Sequence, residues 1–266
     1  MPDDDKSSQR AIQSIEVGSR LLLALADAPG PLALKDLAAR AGLSASRAHP
    51  YLVSYSRVGL VEQQAGSGHY HLGPAALRIG LACLQQLDPL RAAEPVLQDL
   101  DEQTGHAVAL AVWGNFGPTV VRLVEARQPL HVALRVGSVM SIFETATGRA
   151  FAAALPRERL VGPVAGALRG LAPTRSEAER DAELARIAAE VRRHGCSRAA
   201  GHPIPGVNAF SAAAFDHEGN AVLVLTLLDH QERLDADWDS PAAQAVRDAA
   251  ARITARLGGR AQPRPA

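Results

Sequence analysis

The stretch Leu34-Lys-Asp-Leu-Ala-Ala-Arg-Ala-Gly-Leu-Ser-Ala-Ser-Arg-Ala-His49 decides how the N-terminal third folds. Leu34, Leu37 and Ala38 fall on one side of a short helix that ends at Ala41. Gly42-Leu43 makes a tight turn, and Ser44 stands where it can cap a further helix reaching Val58. Two short helices joined through a glycine-containing turn are the signature of a helix-turn-helix. Upstream, Val17, Leu21, Ala24 and Leu25 recur at helical spacing between Ser14 and Asp27, and Pro29-Gly-Pro31 stops that helix. Downstream of Gly59, Leu60-Val-Glu-Gln63 and His69-Tyr-His-Leu72 flank Gly66-Ser-Gly68, a strand–turn–strand pattern. In this order the pieces predict a winged helix-turn-helix over 14–73. The bland alternative is three helices and a hairpin that merely pack.

Charge in this region leans basic. Arg10, Arg20, Lys35, Arg40, Arg47 and Arg57 outnumber Glu16, Asp27, Asp36 and Glu62. That excess is too thin for a nonspecific binder and suits a specific reader that works as a dimer. Ser44, Ser46, Arg47 and Tyr51 are the residues expected to face the major groove, with Lys35 and Arg57 as further basic candidates. Arg47 can make a bidentate contact to guanine or a plain phosphate contact, and both stay open. Pro50 sits inside the proposed recognition helix. Either the helix is kinked there, or it begins near Pro50.

Leu77, Leu81 and Leu84 form an apolar stripe in a helix expected over 74–87, with Cys83 read as a small buried hydrophobe. Asp88-Pro89 then opens a new segment. Residues 88–258 predict helices at Leu90 to Leu100, Glu144 to Ala154, Arg157 to Ala165, Ser176 to Val191 and Pro241 to Leu257. Strands are expected at His106 to Trp113, Thr119 to Val124, His131 to Val136, Val207 to Phe215 and Ala221 to Leu228. Ser197 to Ile204 reads as a loop. Helices on an antiparallel sheet make an α+β layer. Residues 1–13 and 259–266 read as flexible tails.

Composition sets the outer bounds. The chain has 266 residues, 47% hydrophobic and 21% charged, enough for two domains with real cores. No apolar run approaches the ~18–20 residues of a membrane helix, and the acidic start is no secretory signal. Cys83 and Cys196 are the only cysteines, too few for a disulfide framework or a four-cysteine zinc site. A reducing, cytoplasmic setting is expected. The nine histidines show no HExxH pattern, and no nucleophile elbow or phosphate loop is present. Asp216-His217 and Asp229-His230 read as solvated turn residues. No catalytic residue, metal site or cofactor is expected.

Several stretches together resemble the IclR family of bacterial transcriptional regulators. They are Ser14-Ile-Glu-Val-Gly-Ser-Arg-Leu-Leu-Leu23, Leu34-Lys-Asp-Leu-Ala38, Gly42-Leu-Ser-Ala-Ser-Arg-Ala-His49, Gly59-Leu-Val-Glu62, Tyr70-His-Leu-Gly73, Thr145-Ala-Thr-Gly-Arg-Ala150 and Gly206-Val-Asn-Ala209. The likeness spans roughly 14–258. It implies a linker helix that pairs in a dimer, a GAF-like effector domain, and a dimer or tetramer on a near-palindromic operator in double-stranded DNA. It also places a small-molecule site at Thr145, Ala146, Gly148, Asn208 and Thr226. Pro50 departs from the basic residue usual there.

The residues themselves suggest a small organic acid for that site. Backbone N–H groups at a helix start favour a carboxylate, and Gly148 allows close approach. Arg198 and His202 add cations nearby. Plainer roles remain open: capping for Thr145, a bond within the sheet for Thr226, a turn or bulge for Asn208, a solvated loop for Arg198. Two functions stand side by side. One is a ligand-responsive transcription regulator. The other is a small-molecule-binding or hydrolytic protein whose winged helix serves only assembly.

Overall fold

A computed structural model of the protein describes residues 12–130, 132–161 and 176–260. The chain divides between Leu87 and Asp88 into two compact units.

The first unit holds α1 (Gln13–Ala26), α2 (Leu34–Arg40), α3 (Ala45–Arg57), β1 (Val61–Gln63), β2 (Tyr70–Leu72) and α4 (Pro74–Gln85). Gly42 at φ 68° turns α2 into α3, a conformation that a Cβ would strain. The Ser44 hydroxyl accepts from the Arg47 N–H at 3.4 Å and caps α3. Leu21, Leu37, Ala48, Leu52 and Val61 close into one core, each at 0% exposure. Gly18 belongs to the same packing. A Cβ there would lie 2.0 Å from the Tyr55 hydroxyl and 3.1 Å from the Tyr51 ring, so α1 and α3 meet over a residue without a side chain. Strands β1 and β2 pair antiparallel, Val61 opposite Leu72. Leu32 and Tyr70 exchange both backbone bonds, at 3.0 and 2.7 Å, and fasten the wing to the turn before α2.

Helix α3 runs unbroken through Pro50. It does not begin there. Proline's missing N–H frees the Ser46 carbonyl, and Ser54 returns a bond from its hydroxyl to the Pro50 carbonyl at 3.0 Å. Helix α4 buries none of its residues. Leu77, Ile79, Leu81 and Leu84 all stand exposed. Cys83 is exposed with them, which corrects its reading as a buried hydrophobe.

The second unit contains α5 (Pro89–Thr104), β3 (Ala107–Gly114), β4 (Gly117–Val124), α6 (Ala146–Ala154), α7 (Arg157–Val161), α8 (Glu177–His194), β5 (Ser197–Ala200), β6 (Val207–Phe215), β7 (Ala221–His230) and α9 (Pro241–Arg256). The five strands form one antiparallel sheet in the order β4-β3-β7-β6-β5. Helix α6 packs on β5, β6 and β7 and against α8. Helix α9 packs on β6 and β7 and against α5. With helices on both faces, β7 is buried from Leu223 to Asp229, as a run apolar on both sides requires. The Ser176–Glu179 capping box opens α8, and Gly195 at φ 71° closes it.

Three sequence expectations change. Residues 132–136 form no strand, and His131 lies outside the described residues. The outer edge of β4 is taken instead by 137–140: Val120 N–H donates to the Ser138 carbonyl at 2.9 Å and Met140 N–H to Pro118 at 2.8 Å. Helix α6 begins at Ala146 rather than Glu144, because Thr145 is its cap. Ser197 to Ala200, expected as loop, is edge strand β5, with Ser197 opposite Ser211. The expected helix from Arg157 ends at Val161, beyond which its last residues, to Ala165, lie outside the described residues. So do 1–11 and 261–266 of the expected tails. Gly259 donates its N–H to the Thr254 carbonyl at 2.9 Å.

Candidate functional site

In the first unit the candidate surface is α3. Ala48 and Leu52 point into the core, while Ser44, Ser46, Arg47, His49, Pro50 and Arg57 are exposed. Ser44 and Ser46 hydroxyls lie 3.2 Å apart at the helix start, beside Arg47. Arg57 ends the helix, and Lys35 is exposed on α2. Tyr51 differs from the others: it is half-buried and packs toward α1. Beside it, burial first and Tyr51 second push the Tyr55 phenol up from its ordinary range.

In the second unit a small cavity of about 50 Å³ lies between the start of α6 and the sheet. Thr145, Ala146 and Thr226 all line it, together with Thr147. Gly148 and Asn208 do not. Gly148 is required by packing, since a Cβ there would fall 1.9 Å from the Ser141 carbonyl oxygen and 2.6 Å from the Ile142 Cα. Asn208 accepts from the Gly201 N–H at 3.0 Å and donates to the Leu234 carbonyl at 2.8 Å, and so ties the β5–β6 turn to the segment after β7. Phe143 and Phe210 do not line it either. Phe210 is fully buried and Phe143 packs beside the α6 core.

Hydroxyls form the polar floor. Thr226 Oγ1 lies 2.8 Å from Thr147 Oγ1 and 2.7 Å from Ser211 Oγ, all three buried. A lone threonine in an apolar strand thus finds its partners inside the protein. Ser197 extends the arrangement by donating to the Ala146 carbonyl at 2.6 Å. Ser211 was not singled out from the sequence, although it sits directly across the strand pair from Thr226. Thr145 both caps α6, through the Gly148 N–H at 3.0 Å, and donates to the Ser141 carbonyl at 2.7 Å. Apart from His202, the remaining walls are apolar: Ala109, Val120, Leu134, Met140, Val207 and Leu228, with Pro203 and Ile204 from the β5–β6 turn. Neither Ile204 nor Met140 carried a periodic signal, because both lie in irregular segments that the fold brings over the sheet.

Arg198 does not reach this cavity. Its guanidinium stacks 4.3 Å above the Trp238 ring and donates to the Ala236 carbonyl at 2.6 Å. His194 stacks on the same indole at 4.1 Å. Burial first, then the nearby Arg193 charge, lowers its pKa. Arg198 instead borders a polar hollow of about 420 Å³ outside the sheet edge, where Arg149 and Arg186 pair with Glu190. His202 touches both spaces and is exposed.

Asp229 overturns its reading as a solvated turn residue. It is 1% exposed and joins His106 Nδ1 at 2.8 Å, Arg233 Nε at 3.1 Å and the His230 N–H at 2.7 Å. Burial opposes its ionisation, but the bonds from Arg233, His106 and the His230 backbone prevail and hold the carboxyl below the usual carboxylate range. Among the described residues, no three His, Cys, Asp or Glu side chains gather as a metal site. No helix among them is long and apolar enough to cross a membrane.

Comparison with known proteins bears on both units. Residues 14–65 match the IclR helix-turn-helix domain, and residues 81–255 match the bacterial transcriptional regulator IclR C-terminal domain. The chain is 32% identical over 256 residues to the glycerol operon regulatory protein of Streptomyces griseus, covering 94% of this chain and 98% of that one. It is 26% identical over 251 residues to the transcriptional repressor IclR of Escherichia coli, covering 93% and 91%. Its structure resembles that of HmgR from Pseudomonas aeruginosa with a TM-score of 0.82 at 35% identity, covering 93% and 99%. The two sequence relatives are named as a regulatory protein and a transcriptional repressor, and the matched family is one of transcriptional regulators rather than enzymes. With both of its units matched in order and nearly its whole length shared, the chain belongs to the IclR family of bacterial transcriptional regulators.

Proposed function

We propose that this protein is a transcription regulator that reads a near-palindromic operator through α3 and responds to a small organic acid held beneath α6. It works in the cytoplasm as a homodimer or tetramer. The observation that carries the DNA reading is the outer side of α3, where Ser46, Arg47 and Arg57 stand exposed while Ala48 and Leu52 fill the core. On this reading Arg47 and the Ser44–Ser46 pair meet base edges or phosphates, and Lys35 and Arg57 meet phosphates. Tyr51 contributes through its free edge while its ring holds α1.

The effector reading rests on the cavity that Thr145, Ala146 and Thr226 share. Gly148 serves it by letting α6 start close against Ser141, and Asn208 by holding the turn that carries Pro203 and Ile204. Assembly through α4 is supported by its leucines, exposed on a helix with no buried residue. Such a face is unfavourable in water and becomes favourable against a second copy. The effector acts by binding one arrangement of the oligomer better than the other.

The test is a fluorescence-anisotropy titration of labelled DNA from beside the protein's own gene, against a scrambled duplex, at ~0.15 M salt. Tight binding to the first alone, altered by an organic acid, is the expected result. Equal weak binding to both duplexes, with and without a pool of acids, overturns the reading.

A further inference from the structure

The cavity beneath α6 offers few partners for the carboxylate it is proposed to hold. An ionised carboxylate only accepts hydrogen bonds, at about four lone-pair sites, and is costly to bury without a countercharge. Thr145 spends its proton on the Ser141 carbonyl at 2.7 Å. Thr147 and Ser211 each bond the Thr226 hydroxyl, at 2.8 and 2.7 Å. Those two bonds use two of the three hydroxyl protons and leave one for a ligand. The first turn of α6 adds backbone N–H groups and a partial positive charge. Among the described residues that line the cavity, only His202 has an ionisable side chain.

His202 and Ala199 line both the cavity and the polar hollow outside the sheet edge, so the two spaces meet at this point. His202 is exposed, and its imidazole can exchange protons with water. The charged groups that face it across the hollow are Glu144 before α6, Arg149 on α6, Glu183, Arg186 and Glu190 on α8, and Arg198 on β5. Three arginines against three glutamates add no net charge, and Arg149 and Arg186 are paired with Glu190. Arg198 is held by Trp238 and the Ala236 carbonyl. On the β7 side, a Cβ at Gly206 in the same turn would lie 3.7 Å from the His230 ring. We propose that His202 supplies the positive charge for the effector's carboxylate, and that the acid binds together with a proton taken up by this imidazole. This rests on the reading that the cavity is the effector site, and goes beyond it by assigning the countercharge. Histidine changes charge between about pH 5 and 8, and a carboxylic acid is ionised over most of that range. The protonated imidazole attracts the anion, so affinity rises as pH falls. The regulator then answers jointly to an acid and to acidification.

The experiment is calorimetric titration of the full-length protein with sodium butyrate, succinate and benzoate at about pH 6 and about pH 8, the two sides of the histidine range. Each titration is repeated in two buffers of different ionisation enthalpy, which reads proton uptake directly. The acid that binds best should bind at least about fivefold more tightly at the lower pH, with net proton uptake. His202→Gln should remove the uptake and flatten the pH dependence to within about twofold. His202→Lys stays charged at both pH values and should bind at the higher pH at least as tightly as the wild type, without uptake, a rescue that a merely structural role does not produce. Ala209→Leu and Leu134→Trp add bulk to the cavity wall and should block binding. If an acid binds equally at both pH values, or with an uptake that His202→Gln leaves unchanged, His202 is not the countercharge, whereas the cavity stands as the site where either wall variant blocks that binding. If no acid binds, or the folded Ala209→Leu and Leu134→Trp proteins bind unchanged, the site reading itself fails, and the countercharge with it.

Discussion

His106 Nδ1 and Asp229 Oδ2 meet at 2.8 Å and join the residue before β3 to the end of β7. Because Asp229 is buried and also holds Arg233, removing the carboxylate strands two basic groups at once. Asp229→Ala should destabilise the second unit by roughly 3 kcal/mol, the low end for a broken buried pair with partly exposed partners. Urea unfolding followed by circular dichroism measures it, and an unchanged midpoint would refute the assignment. The same carboxylate predicts acid sensitivity. Its folded pKa is depressed, so its contribution is fully present above the unfolded value of about 4 and disappears as pH falls through the lower folded value. The difference in stability between wild type and Asp229→Ala should therefore narrow only in that acid range.

Gly148 and Gly80 make opposite predictions from one substitution. Gly148→Ala drives a Cβ into backbone at Ser141 and Ile142, neither of which can turn aside, and should cost about 3 kcal/mol. Gly80→Ala meets nothing within 4 Å in the middle of α4 and should strengthen the helix of the separate protomer by up to about 1 kcal/mol. Thermal unfolding of the two variants side by side is the check. Equal effects would mean that α6 is placed wrongly.

Arg47→Ala should weaken specific DNA binding by about 1–3 kcal/mol and leave acid binding unchanged. The side chain is exposed, so the far-ultraviolet spectrum should not alter. Anisotropy against operator and scrambled duplexes distinguishes its role. A loss confined to the operator marks a base contact, and an equal loss on both marks a phosphate contact. Full retention of operator affinity would remove α3 from the interface.

Leu77→Lys with Leu84→Lys should leave the winged unit folded, because neither side chain is buried, and should lower the oligomeric state. Light scattering during gel filtration reads the mass directly. An unchanged oligomer would move the subunit contact away from α4.

Much of the fold was legible because local chemistry and periodicity agree. Ser44, Gly42, Ser176 and Gly195 each mark an element end that the structure reproduces. The errors fall where tertiary context decides. Ser197 to Ala200 is too short and too polar to declare itself a strand, and only its pairing with β6 makes it one. Val132 and Leu134 look like strand residues but serve the cavity side from an irregular segment. Site residues were harder. Thr145, Ala146 and Thr226 do come together, whereas Asn208 and Gly148 are committed to backbone contacts that no spacing reveals. Asp229 was misread because its partners lie 123 residues upstream and one helical turn downstream.

The exchange of backbone bonds between Leu32 and Tyr70 makes the N-terminal unit stiff. A hairpin of two three-residue strands has little independent stability, but this one is anchored by a third segment and by the buried Tyr70 ring. Its order is therefore settled at folding and is not lost again on meeting a duplex, so the winged unit approaches DNA preorganised. If α3 enters the groove as proposed, so rigid a unit tolerates little variation in the shape of the duplex it meets. Its selectivity then extends to the local width and twist of the helix, at positions where no side chain reaches a base.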